Sequence, residues 1–203
     1  MKEMTQDKDL DLIFLIDRSG SMHGSEKDTI GGFNSFIEKE RKKELNTKVT
    51  TILFDDLYEV LYERKSISDI CELSEDEYYV RGCTALLDAI GKTINSLNHK
   101  IDNKVLFVIM TDGMENSSVE YSKEQIKNMI SSHSWEFIFV GADIDSYSEA
   151  GKIGISKSRI ANYAKSKEGY DDVFTSIDNA TRCLREDMSL DDADWKMDLE
   201  KYD

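Results

Sequence analysis

The chain has no proline, only three cysteines among 203 residues, 26 basic side chains against 41 acidic ones, and no apolar run long enough to span a bilayer. Each shortage excludes something. Without proline, one of the usual helix stops is missing, and turns are marked by glycine, asparagine and aspartate instead. Cys71, Cys83 and Cys183 are odd in number and share no C-x-x-C spacing, which argues against a disulfide framework or a zinc knuckle and for reduced thiols. A formal charge of -15 repels phosphate backbones and anionic lipid, so neither nucleic acid nor membrane is expected as a partner, whereas cations and basic surfaces are. A membrane span needs about 20 consecutive apolar residues, and the polar start Met1 to Lys8 lacks the apolar core of a signal peptide, so a cytoplasmic location is expected.

What is present alternates in type. Leu10 to Ile16, Val105 to Met110 and Trp135 to Val140 are nearly continuous apolar runs, as expected of parallel strands covered on both faces. Between them, Ile30, Phe33 and Ile37, and then Leu87, Ile90, Ile94 and Leu97, follow helical spacing. Val49 to Phe54 and Leu57 to Tyr62 flank the polar pair Asp55-Asp56 and read as a hairpin that supplies an antiparallel edge strand. Two more helices are expected at Ser122 to Ser131 and around Glu168 to Arg185, the second carrying Val173, Ile177, Ala180 and Leu184. Strand and helix in alternation imply an α/β sandwich with right-handed crossovers. One domain over residues 8–186 is expected, followed by an acidic tail, residues 187–203, expected to be solvated or loosely docked.

The chemistry concentrates where the apolar runs stop. Asp17-Arg18-Ser19-Gly20-Ser21 puts a carboxylate and two hydroxyls on alternate residues at the end of the first strand. The second strand ends in Thr111-Asp112-Gly113, and a third hydroxyl, Thr84, stands just before a helical stripe. In an open α/β sheet, ligands sit beyond the carboxyl ends of the strands where strand order reverses. Oxygen donors of this kind suit a hard divalent cation and suit zinc poorly.

These residues resemble the von Willebrand factor A domain with its metal-ion-dependent adhesion site. That family's motif is D-x-S-x-S, then a threonine before a helix, then an aspartate followed by glycine after a buried strand. Asp17, Ser19, Ser21, Thr84 and Asp112 fill the five positions, with Thr84 lying 63 residues after Ser21 and Asp112 lying 28 after Thr84. The resemblance covers about residues 8–186, and Gly32 to Ile37, Thr84 to Ile90, Thr111 to Asn116 and Phe139 to Ala142 are similar to the compact bacterial and phage members, including the TerY-like group. It implies a Rossmann-like three-layer sandwich, with a mostly parallel sheet of about six strands, one antiparallel edge strand and helices on both faces. It also implies Mg2+, with Mn2+ or Ca2+ as alternatives, held directly by Ser19, Ser21 and Thr84, while Asp17 and Asp112 act largely through water and hydrogen bonds. Two carboxylates cancel the charge of the dication, so a partner protein's Asp or Glu completes the shell. The expected function is a non-enzymatic adaptor or scaffold, of the kind found in bacterial stress-response or ATPase-associated assemblies.

Two other functions compete with this one. A metal-dependent phosphohydrolase would use Asp17 as nucleophile, but its haloacid dehalogenase-like form wants a second aspartate where Ser19 stands. No G-x-x-x-x-G-K-[ST] stretch supports a P-loop hydrolase. The other rival is a structural domain with no metal. Among neighbouring residues, His23 is expected in an exposed loop and Cys83 as a small buried thiol. Asp143 and Asp145 are expected as turn and helix-cap residues, Glu115 and Asn116 as contributors to partner selection, and Trp135 at the start of its strand.

Overall fold

The structure is a computed structural model and describes residues 9–192 and 194–203, so the polar N-terminal stretch Met1 to Lys8 lies outside it. Six strands form one sheet: β1 (Leu10–Asp17), β2 (Thr47–Phe54), β3 (Tyr58–Ser66), β4 (Lys104–Thr111), β5 (Glu136–Gly141) and β6 (Ile160–Asn162), in the order β3-β2-β1-β4-β5-β6. All neighbours are parallel except β2 and β3, the hairpin pair, so β3 is the antiparallel edge strand. The helices are α1 (Glu26–Lys42), α2 (Leu86–Leu97), α3 (Lys123–Ser132), α4 (Ser146–Lys152) and α5 (Lys167–Arg185). This is the Rossmann-like three-layer sandwich with helices on both faces. No described helix is long and apolar enough to cross a membrane.

Period-two alternation within β1 decides the layers. Leu10, Leu12, Phe14 and Ile16 join Phe33 and Phe36 of α1 and Val173 and Ile177 of α5 on one face. Ile13 and Leu15 join Ile90 and Ile94 of α2 and Ile126 of α3 on the other. Every residue of β1 is buried, which accounts for its nearly continuous apolar run, and the one charge within that run, Asp11, pairs with Arg64 at 2.7 Å. The chain runs from β1 through α1 to β2 on one side, then returns through α2 to β4 on the other side of β1. The strand order therefore reverses between β1 and β4, whose carboxyl ends carry Asp17 and Thr111-Asp112.

The structure corrects the expectation for the tail. Leu190, Trp195 and Leu199 are buried within the core cluster on the α1/α5 face, and Trp195 is 1% exposed. The indole N–H of Trp195 donates to the Ser158 carbonyl at 2.9 Å, and a 3-10 helix, Met197–Tyr202, packs on α5 and β6. An indole carries enough apolar area to dock a segment whose other side chains are charged, once its N–H finds a partner. β6 and α4, three and seven residues long, are additions to the elements read from the sequence.

Candidate metal centre

β1 and β4 lie side by side in register, so Asp17 and Thr111 end their strands at the same level. Asp17 is completely buried and both carboxylate oxygens are occupied: Oδ1 accepts the Ser19 amide at 2.7 Å and Oδ2 the Thr111 hydroxyl at 2.5 Å. Burial pushes its carboxyl up to about 6, outweighing the opposing hydrogen bonds from Thr111 and Ser19. The Ser19 amide bond folds the chain back over the strand end. The Ser19 hydroxyl is thereby turned toward Thr84, which arrives in the loop ahead of α2.

The three hydroxyls form a directed chain. Thr84 Oγ1 donates to Ser19 Oγ at 3.0 Å, Ser19 and Ser21 Oγ lie 3.1 Å apart, and Ser21 Oγ donates to Asp112 Oδ1 at 2.5 Å. A hydroxyl has one proton. With that of Ser21 committed to Asp112, Ser19 must be the donor to Ser21, so all three protons run in one direction and end on a carboxylate. Each oxygen then keeps lone-pair capacity for a cation. Asp112 itself is buried, and its Oδ2 lies 2.6 Å from the Lys165 ammonium.

The backbone leaves room at this point. A Cβ on Gly113 would lie 2.6 Å from Thr84 Oγ1 and 3.0 Å from Ser21 Oγ, so only glycine leaves this space clear. Gly82, with φ of +66°, turns the loop that presents Thr84, and its carbonyl accepts the Gly20 amide at 3.1 Å, tying that loop to the β1 end. The result is a cleft of about 570 Å³ lined by Ser19, Ser21, Thr84, Asp112, Met114 and Asp143, among others. The donor set, three neutral hydroxyls and two carboxylates with a side-chain-free cradle, fits an octahedral hard cation.

All five sequence-selected residues are thus brought to one sheet edge. Several of their supports have no motif in the sequence. The Thr84 amide donates to Asn116 Oδ1 at 2.9 Å, and the Thr84 carbonyl accepts the Asn116 amide at 3.0 Å. Glu115 accepts amides of Leu87, Ser117 and Ser118 and the Ser118 hydroxyl. These bonds give Glu115 and Asn116, expected to contribute to partner selection, a further task in holding Thr84 and the first turn of α2, while both residues still line the cleft. Arg18, fully buried, donates to Asp55 at 3.1 Å, Arg81 reaches the same carboxylate oxygen at 2.7 Å, and together they pin the β2-β3 turn to the strand end. Tyr78, likewise buried, donates to the Asp17 carbonyl at 2.7 Å.

Of the remaining residues, Asp145 caps α4 by accepting the Ser148 amide, and Asp143 adopts a left-handed turn with φ of 55°, as read from the sequence. The His23 side chain is 84% exposed. Cys83 is exposed and lines the cleft, which corrects its reading as a buried thiol, whereas its neighbour Thr84 is buried. Lys165, which no sequence pattern singles out, reaches the cleft from the loop between β6 and α5 and pairs with Asp112 at 2.6 Å and Asp143 at 3.0 Å.

A family model of the von Willebrand factor type A domain matches residues 11–176. No curated protein matches the chain. Among solved structures, the chain is similar to the vWF domain of the type V pili tip protein Mfa5 from Porphyromonas gingivalis, with 10% identity, a TM-score of 0.66, and coverage of 86% of this chain and 96% of that one. It is also similar to the pilus adhesin SpaC from Lactobacillus rhamnosus GG, with 14% identity, a TM-score of 0.70, and coverage of 89% and 30%. Proximal thread matrix protein 1 from the mussel byssus, in a form with a zinc-occupied MIDAS motif, gives 16% identity, a TM-score of 0.59, and coverage of 91% and 46%. The chain spans about 44% of the length of that byssus protein in two further structures. At these identities the likeness is one of fold.

Proposed function

The chain belongs to the von Willebrand factor type A domain family, and on that premise we propose that it is a non-enzymatic protein-interaction domain whose partner binds through a divalent cation. Ser19, Ser21 and Thr84 hold the ion directly, and Asp17 and Asp112 act through hydrogen bonds and water. The observation that carries this reading is the one-way hydroxyl chain ending on Asp112, which leaves three oxygens available beside the Gly113 cradle. When bound, the ion supplies an electrophilic position for a carboxylate from the partner. The chain's own residues set the charge there: Asp17 and Asp112 offset a dication, so an incoming Asp or Glu meets no large anionic surplus.

Mg2+ is the preferred ion because every donor is a hard oxygen, with Mn2+ and Ca2+ as alternatives. Zinc occupies the corresponding motif of the byssus protein and belongs in any comparison of metals. The phosphohydrolase reading is disfavoured by Asp17 itself, which is fully buried, accepts a hydrogen bond on each oxygen inside the fold, and does not line the cleft where a substrate would sit. The local similarity to compact bacterial and phage members favours an adaptor role in a stress-response or ATPase-associated assembly.

The test is a pull-down with the wild-type chain and Thr84→Ala, with Mg2+ and with EDTA, alongside hydrolysis of a generic phosphate ester. Partners retained only with Mg2+ and only by the wild type are expected. Equal retention by Thr84→Ala, or metal-dependent hydrolysis abolished by Asp17→Asn, would overturn the reading.

A further inference from the structure

Lys165 is the one cationic side chain among the described residues that pairs with a proposed metal-site carboxylate. Its ammonium lies 2.6 Å from Asp112 Oδ2, 3.0 Å from Asp143 Oδ2 and 3.1 Å from the Ser21 carbonyl, and it touches none of the three hydroxyls. Asp112 is therefore held from two sides, with Oδ1 facing Ser21 and Oδ2 facing Lys165.

The reach is built in by the backbone on both sides of Lys165. The Tyr163 amide donates to the Gly141 carbonyl at 2.9 Å, and the Tyr163 side chain is buried. Ser166 caps α5 by accepting the Gly169 amide at 3.1 Å, and a Cβ on Gly169 would lie 2.0 Å from the Ala164 carbonyl oxygen, so the turn around Lys165 is closely packed. The backbone that carries Lys165 is thereby fixed beside the carboxylates.

Building on the metal-site reading above, we propose that Lys165 is a tethered counter-cation that competes with the divalent metal for the charge of Asp112 and so sets the metal affinity of the site. Without metal, the ammonium compensates a carboxylate whose side chain is 0% exposed and which would otherwise be a buried, unpaired charge. With metal, Asp112 is shared between a dication and an ammonium that repel each other across it. Asp143, 69% exposed, stands ready as the alternative partner toward which the ammonium can shift. Asp17 and Asp112 balance the dication, and Lys165 and Asp143 balance each other. The whole cluster is therefore neutral when loaded, and the tether weakens metal binding without leaving a net charge.

Calorimetric titration of Mn2+ and of Mg2+ into the wild type, Lys165→Met, Lys165→Gln and Lys165→Arg tests this. The two neutral variants should bind metal about tenfold more tightly, the scale expected for removing one unit charge beside a dication at a solvent-facing site. Lys165→Arg should retain wild-type affinity. Thermal unfolding supplies a second readout: in EDTA the neutral variants should melt below the wild type, and in saturating Mn2+ the gap should close. Equal or weaker metal binding by both neutral variants overturns the proposal while leaving the metal site intact. A wild-type chain that takes up no metal overturns both.

Discussion

Gly113 shows how much a single residue can decide at this site. Asp-Gly after a strand is a common turn, and in the sequence the glycine reads as no more than that. In the folded chain its missing side chain keeps open the space in front of Thr84 and Ser21. Gly113→Ala should therefore leave the circular dichroism spectrum unchanged and reduce Mn2+ affinity at least about tenfold, because a methyl group would stand within van der Waals contact of two donor oxygens. Affinity equal to the wild type would mean that the cradle is not where the ion sits. The five oxygen-bearing residues were legible because each falls at the end of an apolar run or the start of a helical stripe. Lys165 was not, since it lies 53 residues beyond Asp112 in a polar segment and meets it only through the β5-β6 crossover. Cys83 is exposed beside the buried Thr84, a contrast between chain neighbours in an irregular loop that no periodicity announces.

Among the elements, the long ones carried clear signals. β1, β4 and β5 are apolar through most of their length because helices cover both faces, and α2 and α5 show the stripe expected of a helix packed on a sheet. β6 is three residues long and pairs with β5 only, too short for any periodicity to register. The segment after Asp187 misled for a different reason. Its acidic composition hides Leu190, Trp195 and Leu199, whose burial depends on a surface formed by α5 and β6 far earlier in the chain. That docking has a measurable consequence. Trp195→Ala should lower the free energy of unfolding in urea by about 3 to 5 kcal/mol, the usual cost of emptying a buried aromatic site. A change below about 1 kcal/mol would mean that the segment is only loosely attached, as its composition suggests.

At the scale of the whole molecule, a net charge of -15 surrounds a cleft lined by three hydroxyls, Ser19, Ser21 and Thr84, and four carboxylates, Asp112, Glu115, Asp143 and Asp145. The bulk charge draws cations toward the surface without selecting among them, and in the proposed function the selection falls to the hard oxygen donors at the switch point between β1 and β4. The fold class follows from strand and helix alternating along the chain, whereas the supports of the site, the Arg18-Asp55-Arg81 cluster and the Asn116-Thr84 pair, depend on contacts between distant segments that no linear pattern encodes. The central claim is that these distant segments build one cation site from neutral hydroxyls. It is tested most directly by calorimetric titration of Mg2+ and Mn2+ into the wild type and into the Ser19→Ala/Ser21→Ala double variant. One ion per chain in the wild type, with binding lost in the double variant, is the predicted result. Absence of binding to the wild type at millimolar metal, or undiminished binding by the double variant, would contradict it.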